Sequence, residues 1–204
     1  IMTAKKQDAN AEIAVKAEDK SSLTSVAATA GLISAKDKTL LNGQGAVSTV
    51  YSKKVTKATI ADTGIDAWSS NASEEDKKGS GTSCLSVAAL NASDLYNFAL
   101  AGALGGTTGS VGVGAAVSTN RLNQTTEAGI SNTAKPVNAT HAGDIAVRAQ
   151  GTGSIFDLSV GAAGSASDSL VEFGGSLAYN YINNATAAKV INANLASEDN
   201  IGVV

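Results

Sequence analysis

The sequence predicts an all-β fold, a right-handed parallel β-helix with short helical segments extending from the side of its stem. Three observations support this prediction. One stretch of sequence recurs along the chain, apolar and polar residues alternate within it, and the apolar residues are mostly small: 43% of the 204 residues are hydrophobic but only 4% are aromatic. A narrow interior between stacked strands accommodates such side chains better than a wide globular core does.

The recurring stretch emerges when the chain is shifted against itself without gaps. Residues 46–60 (AVSTVYSKKVTKATI) align with residues 115–130 (AAVSTNRLNQTTEAGI) after a shift of 70, and these align with residues 175–190 (GSLAYNYINNATAAKV) after a shift of 60. The matched positions are Val47, Val117 and Leu177; Thr56, Thr126 and Thr186; Ala58, Ala128 and Ala188; Ile60, Ile130 and Val190; Asn120 and Asn180; and Asn123 and Asn183.

The alternation within each copy has the period of a β-strand with one buried face. Equivalent strands that recur along a chain are most simply stacked in parallel, because each repeat then covers the apolar face of its neighbour. Connections between parallel strands are overwhelmingly right-handed, and stacked strands lie about 4.8 Å apart. A right-handed parallel β-helix follows, in which the repeated threonines and alanines face inward where the helix is narrow.

A second unit recurs more loosely. EIAVKA at residues 12–17 and DIAVRA at residues 144–149 are nearly identical, and GIDAWS at 64–69 and NIGVV at 200–204 are weaker relatives. Together the two units mark repeat copies around residues 12–61, 64–130 and 143–191. We therefore expect residues 1–204 to form a single β-helical repeat segment excised from a much larger protein.

The repeated asparagines suggest a ladder at a corner of the helix. Asparagine tolerates left-handed backbone, and its amide can bond to the amide one turn of the helix above. Asn123 and Asn183 are candidates for this ladder, with ordinary turn asparagines as the alternative. Their separation of 60 residues suggests that other turns of the helix lie between them.

Two segments depart from the strand period. Residues 21–41 place apolar side chains at spacings of three and four, and residues 91–106 follow a candidate N-cap, Ser93, with apolar residues and end in glycines. These segments are predicted to be short helices, with additional strands as the alternative. The charged stretch at residues 71–83 is predicted to be a solvated loop.

Composition argues against several classes of function. The net charge is −3 and the lysines are scattered among acidic residues, so the basic patch of a nucleic-acid-binding protein is missing. Cys84 and His141 are the only cysteine and histidine, which leaves no disulfide framework and no set of thiol and imidazole metal ligands. The glycine-rich run at residues 102–114 lacks the lysine of a phosphate-binding loop. We expect no cofactor, no metal and no nucleic-acid partner.

The sequence does not predict an enzyme, because no reactive residues are grouped in it. An alternative, a β-helix enzyme acting on polysaccharide, needs charged groups at matched positions on adjacent turns, and only Lys16 and Arg148 correspond. A further alternative is membrane damage by the uncharged residues 95–117, which are long enough to cross a bilayer. The central GGTTGS of that stretch disfavours a spanning helix, and membrane contact is not the preferred interpretation.

The two repeated units together resemble a known family. GDIAVRA (143–149) followed by GGSLAYNYINNATAAKVINA (174–193), with weaker copies at 12–17, 45–61 and 115–130, is similar to an alternating pattern of G-x-V-x-x-N and N-x-T-x-A-x-I. This pattern is typical of the very large secreted repeat proteins of the filamentous-haemagglutinin type. Within that type, the chain is most similar to the leukotoxin and related giant exoproteins of fusobacteria.

The resemblance implies a Gram-negative exoprotein that is exported unfolded through an outer-membrane secretion partner and folds outside the cell. It implies a secreted or cell-surface location and either adhesion to host cells or toxicity to leukocytes, with a receptor on the leukocyte surface as partner. The family pattern contains no catalytic residues. The predicted function is therefore that of a structural and binding segment, an elongated shaft that presents surfaces to host cells.

Overall fold

The computed structural model describes residues 2–3, 13–33, 41–68, 83–105, 110–133, 135–140, 144–165, 171–197 and 200–204. Within these ranges every regular element is a β-strand, and every strand pair is parallel. The strands are β1 (Met2–Thr3), β2 (Ile13–Asp19), β3 (Ser22–Ile33), β4 (Leu41–Ala61), β5 (Ile65–Trp68), β6 (Ser83–Gly105), β7 (Val111–Ser131), β8 (Val137–Thr140), β9 (Asp144–Ser165), β10 (Val171–Ile191), β11 (Leu195–Ser197) and β12 (Ile201–Val203).

The strands form three sheets, which the chain visits in the same order in each repeat. The short sheet has the order β1-β5-β8-β11. The front sheet has the order β12-β9-β6-β2, with β3 paired to the second half of β6, and the back sheet has the order β10-β7-β4. A complete repeat therefore contributes one short strand, one front strand and one back strand, as β5, β6 and β7 do.

The register of the back sheet reproduces the repeat alignment of the sequence. Val117 pairs with Val47 on one side and with Leu177 on the other, and the repeated threonines, alanines and isoleucine positions pair in the same way. No strand lies between equivalent copies, because one copy already makes a full passage through the three sheets. The expectation that other turns separate Asn123 from Asn183 was therefore wrong, since these residues lie opposite each other on neighbouring strands.

Side chains alternate between the interior and the outer surface in the central long strands, whereas the edge strand β10 is exposed on both faces over most of its length. In the front strand β6 the buried side chains are odd-numbered, and in the back strand β7 they are even-numbered. The front and back sheets pack against each other through these inward faces. The described side chains of β6 alternate in this way from Leu85 to Gly105, so this central strand presents one face to the interior and the other to solvent.

The predicted helices at residues 21–41 and 91–106 are strands in the part of these segments that the structure describes. β3 pairs with β6 from Ser22 opposite Asp94 to Ile33 opposite Gly105. The helical spacing was misleading because these strands carry apolar residues on both faces, which hides the period of two. The alternative of additional strands is the one that the structure supports.

The second repeated unit was assigned correctly in one repeat and wrongly in another. Ile201 pairs with Ile145, so the final NIGVV is the relative of DIAVRA. In the middle repeat, however, Leu85 lies between Ile13 and Ile145 in the front sheet, whereas the GIDAWS stretch forms β5 in the short sheet. The sequence at Leu85 diverges enough that only the register identifies the true copy.

The apolar core lies where the short sheet meets the ends of the two large sheets. Its largest fully buried side chains come from all three sheets, and each contributes about 1.5–3 kcal/mol to stability through burial. The aliphatic members of this core are Ile13, Ile60, Ile65, Leu85, Val87, Ile130, Val137, Ile145 and Val147. A third wall gives this end of the interior room for branched side chains.

Away from the short sheet, the two large sheets approach each other closely. A Cβ atom added at Gly161 of the front sheet would overlap the carbonyl oxygen of Gly175, and one added at Gly114 of the back sheet would overlap the carbonyl oxygen of Ala162. Around these two contacts the buried apolar side chains are small, as in the cluster of Ala46, Ala99, Ala101 and Ala116, whereas Leu95 and Leu122 are buried farther along the same sheets. The thin interior inferred from composition is thus confined to this part of the molecule.

A corner ladder is present, but not at the residues that the sequence suggested. Asn123 and Asn183 lie within β7 and β10, whereas Asn132 and Asn192 follow these strands directly with positive φ angles of 51° and 49°. The Nδ2 atom of Asn192 donates to Oδ1 of Asn132 at 3.2 Å. Asp62, at φ 55°, occupies the same corner in the first repeat. Short polar side chains stand here because they tolerate left-handed backbone.

Replacing Gly161 with alanine tests the close approach of the sheets. Gly161→Ala should lower the free energy of unfolding by about 1–3 kcal/mol, because the added methyl group forces the two backbones apart. Gly175→Ala is the matched control, since a Cβ atom there has no neighbour within 4 Å. Urea unfolding gives both values. Equal effects of the two substitutions would contradict the close contact.

Two substitutions at Asn132 separate the backbone and side-chain contributions of the corner. Asn132→Ala should cost about 1–2 kcal/mol for left-handed backbone in addition to the amide hydrogen bond. Asn132→Gly loses the hydrogen bond but relieves the backbone, so it should be less destabilising than Asn132→Ala by thermal or urea unfolding. The opposite order would show that the corner does not depend on its φ angle.

Candidate functional site

A chain of buried polar side chains crosses the interior between the large sheets. Ser48 Oγ donates to Asn97 Oδ1 at 2.5 Å, and Asn97 Nδ2 donates to Asn120 Oδ1 at 2.7 Å. Asn120 Nδ2 in turn lies 2.8 Å from Asp157 Oδ2 and 2.7 Å from Asn180 Oδ1. The other orientation of the Asn180 amide would instead donate to Asp157 Oδ2 at 3.0 Å.

This polar chain links front and back strands from all three repeats. Ser118 Oγ also lies 2.7 Å from both carboxylate oxygens of Asp157. This carboxylate, the acidic member of the polar side-chain network, therefore accepts hydrogen bonds from both Ser118 and Asn120. Hydrogen-bonded polar groups of this kind favour one register, because a slip of one residue would leave them buried without partners. We therefore assign these hydrogen-bonded side chains a structural role and not a catalytic one.

The outer surface is where this protein places its aromatic residues. All the aromatic side chains that the structure describes project from the outer faces of the large sheets, and none belongs to the buried core. They are Tyr51, Tyr96, Phe98, Phe156, Phe173, Tyr179 and Tyr181. Aromatic side chains are usually buried or placed at interfaces, so their position marks the outer faces as candidate binding surfaces.

The back outer face, defined as the odd-numbered residues of β4, β7 and β10, divides into two halves along the strands. The half toward the start of the strands carries no charged residue at its outward positions. Its rows include Val47, Val117 and Leu177, and both Val47 and Leu177 are more than 60% exposed. The only acidic residue in this stretch of the back sheet, Glu172, is at an inward position.

A row of Tyr51, Arg121 and Tyr181 borders the apolar half. The three residues pair in register, and the Arg121 guanidinium carbon lies 5.9 Å from the centre of the Tyr51 ring and 5.1 Å from that of Tyr181. Cation–π contacts on both sides hold the guanidinium group at the surface. Sequence reasoning missed this row, although the shifts of 60 and 70 already aligned its members.

The second half of the back outer face is basic. It carries Lys53, Lys57 and Lys189 and a single acidic residue, Glu127. Lys57 Nζ lies 3.0 Å and Lys189 Nζ 3.2 Å from the Glu127 carboxylate. Hydrogen bonds from Lys57 and then Lys189 lower the pKa of the Glu127 carboxyl. With Arg121, the face has four cations against one anion, a formal charge of +3 on a chain whose net charge is −3.

The front outer face, the even-numbered residues of β3, β6 and β9 with those of β2, is also apolar in part. Phe156 lies 6.3 Å from Tyr96 and 5.9 Å from Phe98 between ring centres. This face differs in charge, because three cations are matched by three carboxylates. The cations are Lys16 and Arg148 on the strands and Lys20 between β2 and β3, and the carboxylates are those of Glu18, Asp94 and Asp144. Lys16 and then Lys20 hydrogen-bond to Glu18 and lower the pKa of its carboxyl to about 2.

The structure divides the residues predicted from the repeats between its two surfaces. The threonines, alanines and aliphatic residues at 56–60, 126–130 and 186–190 that recur at even positions face inward, as do Asn120 and Asn180. Val47, Val117, Leu177, Asn123 and Asn183 face outward. Apolar residues recur at these outward positions because equivalent residues of β4, β7 and β10 pair in register and form continuous rows on the outer face.

The residues considered for catalysis are not brought together in the described part of the chain. Lys16 and Arg148 are separated by Ala88 on the strand between them. His141 and the charged stretch at 71–83, apart from Ser83, lie outside the described residues, and the Cys84 side chain is likewise not described. Among the described residues, no group of three or more histidine, cysteine, aspartate or glutamate side chains could hold a metal ion.

Residues 95–117, considered above for membrane damage, lie in β6 and β7 except for the undescribed 106–109 and Ser110 between these strands. Among the described residues there is no helix with the length and hydropathy needed to span a membrane. No family model matches the chain, and no curated protein or solved structure is significantly similar to it.

The ion pairs of Glu127 make a small, pH-dependent contribution to stability. A lowered folded-state pKa means that this contribution is present above about pH 4.5 and is lost as the pH falls below that value. Glu127→Gln should therefore lower the free energy of unfolding by about 0.5 kcal/mol at neutral pH, an amount limited by solvent screening. Urea titrations across this pH range would measure the difference.

The control for this prediction is high salt, which screens surface ion pairs. In about 1 M salt the wild type and Glu127→Gln should have nearly equal stabilities at all pH values. A difference that persists in salt, or that grows on acidification, would show that Glu127 acts through packing.

Proposed function

We propose that this chain is a section of an extracellular β-helical shaft from an adhesin or toxin of the filamentous-haemagglutinin type. Its repeats form a right-handed parallel β-helix, and its lateral faces are presented to host cells, including leukocytes. Export through an outer-membrane partner belongs to the same proposal. The proposal combines the sequence resemblance with the geometry of the described strands.

The observation that carries the proposal is that the repeats are stacked in register with the described aromatic side chains on their outer faces. The repeated passage through three sheets lets each repeat cover the next, which is how solenoid proteins gain extended surfaces. Right-handed connections between parallel strands are strongly preferred, which supports a right-handed helix. A chain that places its large aromatic side chains on the solvent side is built to make external contacts.

The proportions of the strands refine this picture. Strands of 21 to 23 residues span about 70 Å, whereas three stacked repeats rise by only about 14 Å. Each repeat is therefore a broad, thin layer, and the long dimension of this segment lies along the strands. A shaft built from such layers presents wide lateral faces.

Solution scattering and cell binding together test the proposal. The radius of gyration should exceed the value of about 17 Å expected for a compact chain of this length, and the protein should bind leukocytes saturably and more strongly than erythrocytes. Heat-unfolded protein serves as the binding control. A radius of gyration of about 17 Å or equal binding to all cells would contradict the proposal. So would a crystal structure in which the β-helix is left-handed.

A further inference from the structure

We propose that the back outer face docks on the surface of an anionic lipid bilayer, with its apolar half against the acyl chains and its basic half over the headgroups. This inference deepens the proposed function and rests on it in one respect, that the lateral face is open to a host-cell surface. It assigns the partner of that face as lipid, a partner that the repeat pattern does not reveal.

The apolar half is large for an exposed surface. From the row of Leu41 to the row of Tyr51 it covers about 33 Å along three strands, or roughly 450 Å² of flat area. An area of this size matches the largest exposed apolar patch of a typical monomeric protein, and such a patch is often functional. Phe173, Leu177 and Val47 are each more than 60% exposed within it, so burial of these side chains supplies the hydrophobic part of the binding energy.

The border row has the chemistry of a membrane interface. Tyrosine rings prefer the boundary between headgroups and acyl chains, where the ring is apolar and the hydroxyl is hydrated. Arg121 is held between Tyr51 and Tyr181, so its guanidinium group lies at the same level as both rings. The residues change from apolar to aromatic and then to basic along the strand direction, which matches the order of acyl chains, interface and headgroups when the strands are tilted into the bilayer with the apolar half deepest.

The basic half supplies attraction to anionic headgroups. Its formal charge of +3, with Arg121 included, is opposite in sign to the net charge of the chain, so this face carries a local excess of positive charge. Each lysine or arginine near an anionic membrane strengthens binding by about fivefold. Glu127 is already paired with Lys57 and Lys189 and so offers little repulsion.

Other occupants fit this face less well. A second copy docking through the same face would bring two sets of four cations together, and like charges in an interface are costly. A polysaccharide could stack on the tyrosines, but Leu41, Val47 and Leu177 would gain nothing from its hydroxyl groups. The front outer face is apolar as well but has balanced charges, so it lacks the attraction to anionic lipid.

Vesicle flotation tests the proposal directly. The protein should float with phosphatidylcholine vesicles that contain about one-third phosphatidylglycerol, and float much less with phosphatidylcholine alone. Raising the salt from about 0.1 M to about 1 M shortens the Debye length from about 10 Å to about 3 Å and should release most of the protein.

Paired substitutions identify the face. Leu177→Ser should weaken binding about tenfold and Lys53→Gln about fivefold. Their matched controls on the front outer face, Leu158→Ser and Lys16→Gln, should leave binding unchanged within about twofold. Circular dichroism and thermal unfolding establish that all four variants are folded before their binding is compared.

Several outcomes would overturn the proposal. They are equal flotation with neutral and anionic vesicles, no flotation at low salt, equal losses for the front and back variants, and a dimer in sedimentation that the Leu177→Ser substitution abolishes. Retention on heparin without vesicle binding would assign the face to an anionic polysaccharide and overturn it too. Scattering and leukocyte binding on the same sample keep a failure of lipid binding distinct from a failure of the shaft.

Discussion

Hydrogen bonding between equivalent, in-register parallel strands is the constraint on which the other features of this structure depend. It places each residue of the back sheet directly beside its counterpart in the next repeat. Side chains at equivalent positions of successive repeats are therefore direct neighbours, and each must pack favourably against the next. Asparagine meets asparagine at the corner of Asn132 and Asn192, and Glu127 lies between lysines of the flanking strands. Arg121 lies between two tyrosine rings.

The close approach of the two large sheets explains why large side chains are distributed unusually. Where Gly114 and Gly161 bring the backbones together, no ring or branched side chain fits between the sheets. Branched aliphatic residues are accordingly concentrated where the short sheet widens the interior. The aromatic side chains that the structure describes lie on the outer faces, where they leave apolar surface exposed to water. That cost is offset if the faces are covered by a partner, which connects the thin interior to the proposed role in binding.

The interior and the exterior of the back sheet thus serve different purposes within the same strands. Inward residues such as Asn97 and Asn120 specify the register through hydrogen bonds, and outward residues form rows of uniform chemistry. Because each strand repeats the residue types of its neighbour, the apolar or basic character of a position on one strand extends across the whole outer face. The division of the back outer face into an apolar half and a basic half arises in this way.

The repetition of the chain, its thin core and the parallel stacking of its strands could all be predicted without coordinates, because shifts of 60 and 70 residues and a period of two are visible in the sequence. The alignment also placed Val47, Val117 and Leu177 at equivalent positions, but their direct pairing on neighbouring strands was not expected, because other turns were predicted to lie between the copies. Only the tertiary structure decided which way these side chains point, since apolar residues on both faces of a strand erase the difference between inside and outside. For the same reason, only pairing with β6 showed that residues 22–33 form a strand and not a helix.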